Sequence, residues 1–289
     1  MSGKAYTYLQ KAKAEKFAIG AFNAANLETI KAVTQAGINL KSPLFIEASP
    51  GEVAYIGVNQ IVALVRSFEE DLNLPIILNL DHGTDPQMVK QAIDAGFDYV
   101  HYDAGKVEFS EAVTNARQLA DYAHKAGIPI ESEIDHIEGS SADHTEQASE
   151  SFQDAKLYTN PEKAQKFISE TGIDVFAGFF GNLHGLYKTP KHISFEVLAK
   201  LRELNPDTYF SLHGGSGIIE ADVIRAISDY GIVKVNVNSE MRIAFKMTLQ
   251  EVLNNTNEIA IYKVMAKPID EVRKVVEGKI KLFGSAGKL

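Results

Sequence analysis

Apolar residues recur along the chain in two alternating rhythms. Short runs rich in β-branched and aromatic residues are followed by longer segments whose apolar positions return every three to four residues. The short runs predict eight strands: Ala18–Asn23, Leu44–Ser49, Pro75–Asp81, Tyr99–Asp103, Pro129–Glu133, Val175–Phe180, Tyr209–His213 and Val233–Asn238. The longer segments predict helices between them, among them Asn26–Ala36, Pro86–Ala95, Ser110–Lys125, Pro161–Glu170, Phe195–Leu204 and Ala221–Asp229. Glycines in QAGINL, DAGFDYV, KAGIPI, ETGIDVF and DYGIVKV are expected to close helices in the left-handed conformation. Strands alternating with helices imply parallel βαβ units. Eight such units in 289 residues favour a single α/β domain over residues 1–289, a closed (β/α)8 TIM barrel. An open doubly wound sheet is the alternative, but no GxGxxG follows the first strand.

One stretch departs from the rhythm. HIEGSSADHTEQASESFQDAKLYTN, between the fifth and sixth strands, is long and polar, and loops of that length tend to be functional or mobile. Beyond the eighth strand, the end of the chain from Pro268 predicts one or two helices packed on the barrel or on a neighbouring subunit.

Composition narrows the chemistry. A net charge of −9 argues against nucleic acid as a partner, while leaving room for a small phosphorylated substrate held by local donors. There is no cysteine, so a transition metal would need His, Asp or Glu ligands. No apolar leader or 18-residue uncharged apolar stretch is present; no membrane contact and a cytoplasmic location are expected.

In a barrel the active site lies at the C-terminal ends of the strands. The predicted strands end in Asn23, Ser49, Asp81 with His82, Asp103, Glu133, His184, His213, and Asn236 with Asn238. Three of these ends read His-Gly: DHG at Asp81–Gly83, LHG at Leu183–Gly185 and LHG at Leu212–Gly214. Three imidazoles from separate strands, with one position left open, describe a catalytic zinc site. Asp81 beside a ligand suits proton transfer to a metal-held substrate, although it could also cap the next helix; Asp85 before Pro86 is the better cap. Glu133 could be a ligand or a partner of an imidazole. HGGSG at His213–Gly217 and KVNVNSE at Lys234–Glu240 end the seventh and eighth strands, where barrels often hold phosphate, and Lys188 could add a charge. His101, His124, His136, His144 and His192 are read as ordinary satisfied or exposed histidines, with His136 and His144 reaching the site only if the long loop folds inward.

Together, DHG, GNLHGLYK at Gly181–Lys188, HGGSG and KVNVNSE resemble the class II, metal-dependent fructose-bisphosphate and tagatose-bisphosphate aldolases, in order and over nearly the whole chain. The resemblance implies Zn2+ held by His82, His184 and His213, with Glu133 near the metal. It implies Asp81 as the acid/base at the C4 hydroxyl. Asn23 and Asp103 would contact substrate or order the site. Ser216, Gly214, Gly185, Lys188, Asn236 and Asn238 would cradle the dihydroxyacetone phosphate end, some of them through a monovalent cation (Na+ or K+). Ser49 and Arg242 would lie near the other phosphate, the arginine often coming from a neighbouring subunit, in a homodimer or homotetramer. The implied reaction is reversible cleavage of fructose 1,6-bisphosphate to dihydroxyacetone phosphate and glyceraldehyde 3-phosphate through a zinc-stabilised enediolate, with no Schiff-base lysine. Lys234 is no stronger a candidate for that role than any barrel lysine. The chain departs from the family pattern at three places: Ser141 stands where a loop acid is usual, with Glu138 and Glu146 as possible substitutes; Asn238 stands where fructose-specific members usually have an aspartate and tagatose-type ones a smaller residue; and Tyr102-Asp103-Ala104 differs from the usual IDG(S). Two alternatives therefore stay open, an aldolase for tagatose 1,6-bisphosphate or another phosphorylated ketose, and a non-catalytic barrel that binds sugar phosphate and metal.

Overall fold

The computed structural model describes residues 3–137 and 139–289. Ten strands occur among them: β1 (Ile19–Asn23), β2 (Leu44–Ala48), β3 (Ile76–Gly83), β4 (Tyr99–Asp103), β5 (Ile130–Glu133), β6 (Gly139–His144), β7 (Val175–Ala177), β8 (His184–Tyr187), β9 (Tyr209–Leu212) and β10 (Ile232–Val237). Eight of them close a barrel in the order β1-β10-β9-β7-β5-β4-β3-β2, with every pairing parallel. The helices are α1 (Lys4–Glu15), α2 (Leu27–Leu40), α3 (Pro50–Ile56), α4 (Val58–Leu72), α5 (Pro86–Ala95), α6 (Phe109–Lys125), α7 (Pro161–Thr171), α8 (Phe195–Leu204), α9 (Glu220–Ser228), α10 (Ser239–Asn255), α11 (Ile261–Val264) and α12 (Ala266–Leu282). The expected TIM barrel is the observed one.

Side chains alternate inward and outward along each strand. The outward set packs on the helices, as Ile46, Leu78, Val100, Ile130 and Val235 do in the main core. The inward set is layered. At the N-terminal end, Ile19, Ala21, Phe45, Ile77 and Tyr99 form a second apolar cluster with Leu9 and Ala12 of α1, which closes the barrel floor. Above it the interior turns polar, with Glu47, Asn79, His101, Glu131, Ser211 and Lys234 all fully buried. This layer is internally paired. Lys234 Nζ lies 3.1 Å from Glu131 and 3.5 Å from Glu47, Asn79 donates to Glu47 at 3.0 Å, and Tyr99 donates to Glu131 at 2.6 Å.

Some sequence expectations change. Gly96, Gly127, Gly172 and Gly231 do take positive φ at helix ends, but Gly37 lies inside α2, which runs on to Leu40. A Cβ at Gly37 would meet Leu44 Cδ2 at 2.6 Å, so its smallness serves helix–strand packing instead. The sixth barrel strand stops at Ala177, short of Phe180. His184 therefore does not end a barrel strand; it opens β8, which pairs with β6 from the long polar loop in a separate small sheet. That loop also holds 3-10 turns at Ser149–Ser151 and Ala155–Leu157, so it is structured. Past the eighth barrel strand, α12 sends Val272, Val276 and Ile280 into the main core, as the sequence leads one to expect.

Candidate active site

The polar strand ends meet at the C-terminal mouth. One cleft is lined by Asn23, Asp81, His82, His184, Gly185, Gly214, Ser216, Asn236 and Asn238, together with Ser141 and Ser239. A neighbouring cleft shares His82, His184 and Ser141 and adds Asp103, Glu133, His136, Ile137 and Ser140. His213 is fully buried beneath them.

The metal candidates come together at His82. Its Nε2 lies 3.0 Å from His213 Nδ1, a spacing suited to two nitrogens on one small cation. The His184 ring centre is 5.1 Å from that of His82 and 6.2 Å from that of His213. Ligand atoms of Asp81, His82, His101 and His213 all lie within 4.8 Å of one another, as do those of His82, Asp103 and Glu133. His184 is thus the outlying histidine of the three.

The backbone explains how His82 gets there. β3 carries an irregularity between Leu80 and Gly83, and His82 itself takes φ 50°. A non-glycine residue rarely adopts that conformation. Its backbone N–H donates to His101 Nδ1 at 3.1 Å, which holds the turn from within the barrel. Gly83 is needed for space: a Cβ there would lie 2.8 Å from Leu80 Cδ2 and 3.1 Å from the His101 carbonyl. In the two LHG turns the glycines do take positive φ, 97° at Gly185 and 62° at Gly214.

Electrostatics sorts the candidate ligands. Burial drives the His184 imidazole well below its ordinary value, helped by His82 and His213; burial takes His213 down to about 4 against the pull of Glu131. Both are neutral and free to donate a lone pair. Glu131 bonds His213 Nε2, which leaves Nδ1 facing His82. His82 is the opposite case. Burial opposes its proton, but Asp81 and Glu133 outweigh burial and hold it well above the usual range. Asp103 and Glu133 contact its Nδ1 at 3.1 and 2.9 Å. A bound cation would replace that proton in the same negative surroundings. Glu133 Oε2 is buried with no hydrogen-bond partner among the described residues, and burial pushes the Glu133 carboxyl up to about 7. Neutral imidazoles, an acid-lined partner and an orphaned carboxylate oxygen fit a divalent metal of the zinc type.

Asp81 is held between two amides. Asn23 donates to Oδ2 and Asn236 to Oδ1, each at 3.2 Å. Burial opposes its charge, but His82, His101, His213 and Lys234 together keep it well below the ordinary carboxylate range. The helix-capping role belongs to Asp85, which accepts from Gln87 N at 2.9 Å.

The remaining candidates divide. Ser216, Gly214, Gly185, Asn236 and Asn238 line the first cleft, whereas Lys188 is exposed and does not. Ser49 caps α3 and bonds Glu52 at 3.0 Å. Arg242 pairs with the same Glu52 at 2.8 Å, and Glu52 also accepts from Asn23 at 3.1 Å, so Arg242 reaches Asp81 only through a relay. In the long loop Ser141 faces both clefts, Glu146 is exposed, and Glu138 lies outside the described residues. His136 lines the second cleft, so the loop folds inward. His101, read above as ordinary, belongs to the central cluster instead. Glu131 was also missed as the partner of His213. Period-two alternation carried the signal, because His101 is two residues before Asp103 and Glu131 two before Glu133. Lys234 is bound in the carboxylate layer, and Glu131 and Glu47 raise its pKa against burial, which does not suit a Schiff-base nucleophile.

A parallel barrel with a histidine and carboxylate cluster at its mouth defines a metal-dependent lyase scaffold once its relatives are considered. The family profile described as fructose-bisphosphate aldolase class-II matches residues 4–288. Curated proteins named fructose-bisphosphate aldolase are similar: one from Geobacillus stearothermophilus is 35% identical over 284 residues, covering 97% of this chain and 96% of that one. One from Staphylococcus aureus (strain Mu50) is 34% identical over 281 residues, covering 96% and 95%. Among solved structures, the YdjI aldolase of Escherichia coli K12 superposes with a TM-score of 0.83 at 28% identity, covering 100% of this chain and 99% of that one. A putative fructose-1,6-biphosphate aldolase of Coccidioides immitis gives 0.85 at 28% identity, covering 99% and 98%. The chain belongs to the class II fructose-bisphosphate aldolase family, a family of metal-dependent aldehyde-lyases.

Proposed function

We propose that the protein cleaves fructose 1,6-bisphosphate reversibly to dihydroxyacetone phosphate and glyceraldehyde 3-phosphate, with Zn2+ held by His82, His184 and His213 and Glu133 at its edge. The observation that carries this reading is Asp81: a buried carboxylate, fixed by Asn23 and Asn236, 3.9 Å from His82 Nε2. Zinc, when bound, supplies a Lewis acid that polarises the ketone and offsets the charge left when the C3–C4 bond breaks. Asp81 takes the C4 hydroxyl proton in cleavage and returns it in condensation. Gly185, Gly214, Ser216, Asn236 and Asn238 cradle the dihydroxyacetone phosphate end. Asp103 holds His82. Ser49 and Arg242 stand toward the second phosphate, while Lys188 would have to swing in from solvent.

Residues 1–289 are read as one catalytic domain, acting in the cytoplasm as a homodimer or homotetramer. Exposed Met247, Leu253, Ile259, Ile261 and Tyr262 on and between α10 and α11 support the oligomer. No helix among the described residues is long and apolar enough to cross a membrane. A second reading, cleavage of tagatose 1,6-bisphosphate, stays open on one observation: Asn238 lines the substrate cleft in place of the acid expected of fructose-specific relatives, and it is not the smaller residue expected of tagatose-type ones. A coupled cleavage assay on both bisphosphates, with added zinc and with chelator, tests these readings. Zinc-dependent cleavage of the fructose ester is expected. Preference for the tagatose ester transfers the assignment to the epimer. Cleavage that survives chelation excludes the metal mechanism, and binding without turnover of either ester leaves the non-catalytic barrel.

A further inference from the structure

Lys191 is a fully buried lysine that the reaction does not use. Its Nζ donates to three backbone carbonyls: Leu183 O at 2.6 Å, Gly185 O at 3.1 Å and Gly214 O at 2.6 Å. These oxygens come from the two LHG turns, on either side of His184 and just after His213. The turns are in close contact, since a Cβ at Gly214 would lie 2.2 Å from Leu183 O. Lys191 is itself fastened across this place. Its N–H donates to Gly217 O at 3.1 Å, and its carbonyl accepts from Ile219 N. No carboxylate among the described residues lies within 4.0 Å of Nζ; the carbonyl dipoles are its direct partners, and Glu240 adds only a longer-range attraction.

Converging backbone carbonyls are how proteins replace the hydration shell of a potassium ion. Three carbonyl acceptors need three N–H donors, which an ammonium has and a neutral amine lacks. Gly185 and Gly214 also form the wall of the substrate cleft beside Ser216. The positive charge therefore sits directly behind the positions read as the phosphate cradle.

We propose that Lys191 is a built-in monovalent cation: its ammonium occupies the carbonyl cage between the two LHG turns, so that the protein needs no free Na+ or K+ there to hold the turns and attract the phosphate. The role in phosphate attraction rests on the aldolase reading; occupancy of the cage does not. Burial pushes the Lys191 ammonium down to about 7, with Glu240 opposing the fall and Lys279 adding to it, and the three carbonyls act against deprotonation.

The test compares zinc-loaded wild type, Lys191→Met and Lys191→Ala in choline, sodium, potassium and ammonium chlorides at equal ionic strength. Thermal unfolding and calorimetric binding of dihydroxyacetone phosphate are the readouts. Wild type should show the same Tm and the same affinity, within about twofold, in every salt. The variants should lose about tenfold or more in affinity in choline, as expected for lost charge-assisted bonds. Potassium or ammonium should restore both readouts saturably, because a cation that binds only the folded state raises Tm with its concentration. Variants indifferent to all cations overturn the proposal. So does a wild type whose affinity depends on potassium or sodium, and that measurement stands even if neither variant folds. If wild type fails to cleave any bisphosphate but the cation-dependent Tm shift appears in the variants, the aldolase reading fails and the cage survives.

Discussion

The barrel interior and its rim each bury a lysine completely, and the two solve the same electrostatic problem in different ways. Lys234 sits in the polar layer between Glu131 and Glu47; burial pushes the Glu47 carboxyl up to about 8, while Glu131, held well below the ordinary range against burial by Lys234 and His213, is the full counter-charge. Lys191 sits at the rim among carbonyl oxygens, so its charge is solvated by dipoles, with no carboxylate in direct contact and Glu240 attracting it from farther away. The first arrangement belongs to architecture: it ties β10, β5 and β2 together and, through Glu131, turns the His213 ring. The second places the ammonium beside the cleft without a direct carboxylate partner. Burial alone therefore does not say how a lysine is stabilised; the nature of its partners does.

The comparison places both lysines outside the proton transfer, so the largest effect is expected elsewhere. Asp81→Asn should lower the cleavage kcat by about 10²–10⁴-fold while zinc content stays near one per chain. A loss under tenfold would move the proton to another group and reopen the lysines. Next, Lys234→Met should cost about 3–5 kcal/mol in urea unfolding, because the Glu131 carboxylate is left buried without its lysine counter-charge. Adding Glu131→Gln should recover part of that loss; strict additivity would show that the pair is not coupled. Glu131→Gln alone should weaken zinc binding by about 10–100-fold, read by competition with a chromophoric chelator, since it orients a ligand without being one. The smallest effect separates the lysines by titration. Labelled lysine side chains followed by NMR should show Lys191 losing its proton below the ordinary 10.5 and Lys234 above it. Because the folded-state value of Lys234 is raised, its stabilisation is complete below the unfolded value and is lost as pH rises through the folded one. The reverse order of titration would erase the distinction.

Much of this architecture is legible in the sequence, because it depends on local periodicity. Strand and helix alternation, the helix-closing glycines at 96, 127, 172 and 231, and the polar residues at strand ends are short-range signals. What local periodicity does not carry is which residues share a layer. His101 and Glu131 look like isolated polar residues within strands until alternation stacks them beneath Asp103 and Glu133. The apolar run before His184 has strand composition and so predicts a barrel strand, yet β7 stops at Ala177 and His184 opens a separate strand pair. The long loop gave no periodic signal, because its order comes from pairing with β8 across a wide sequence gap.

Sequence alone thus determined the barrel class, the family, the three His-Gly turns and the acid beside the first of them, all matters of which residue follows which. Tertiary structure alone decided that His82 adopts a left-handed backbone pinned by His101. It also decided that Arg242 pairs with its own chain's Glu52, and that the second lysine after the LHG turn, Lys191, faces inward while the first, Lys188, faces solvent. The physical reason is that a carbonyl oxygen carries no side-chain label. The cage around Lys191 is made wholly of backbone atoms, and backbone atoms acquire a chemistry only where the fold makes them converge.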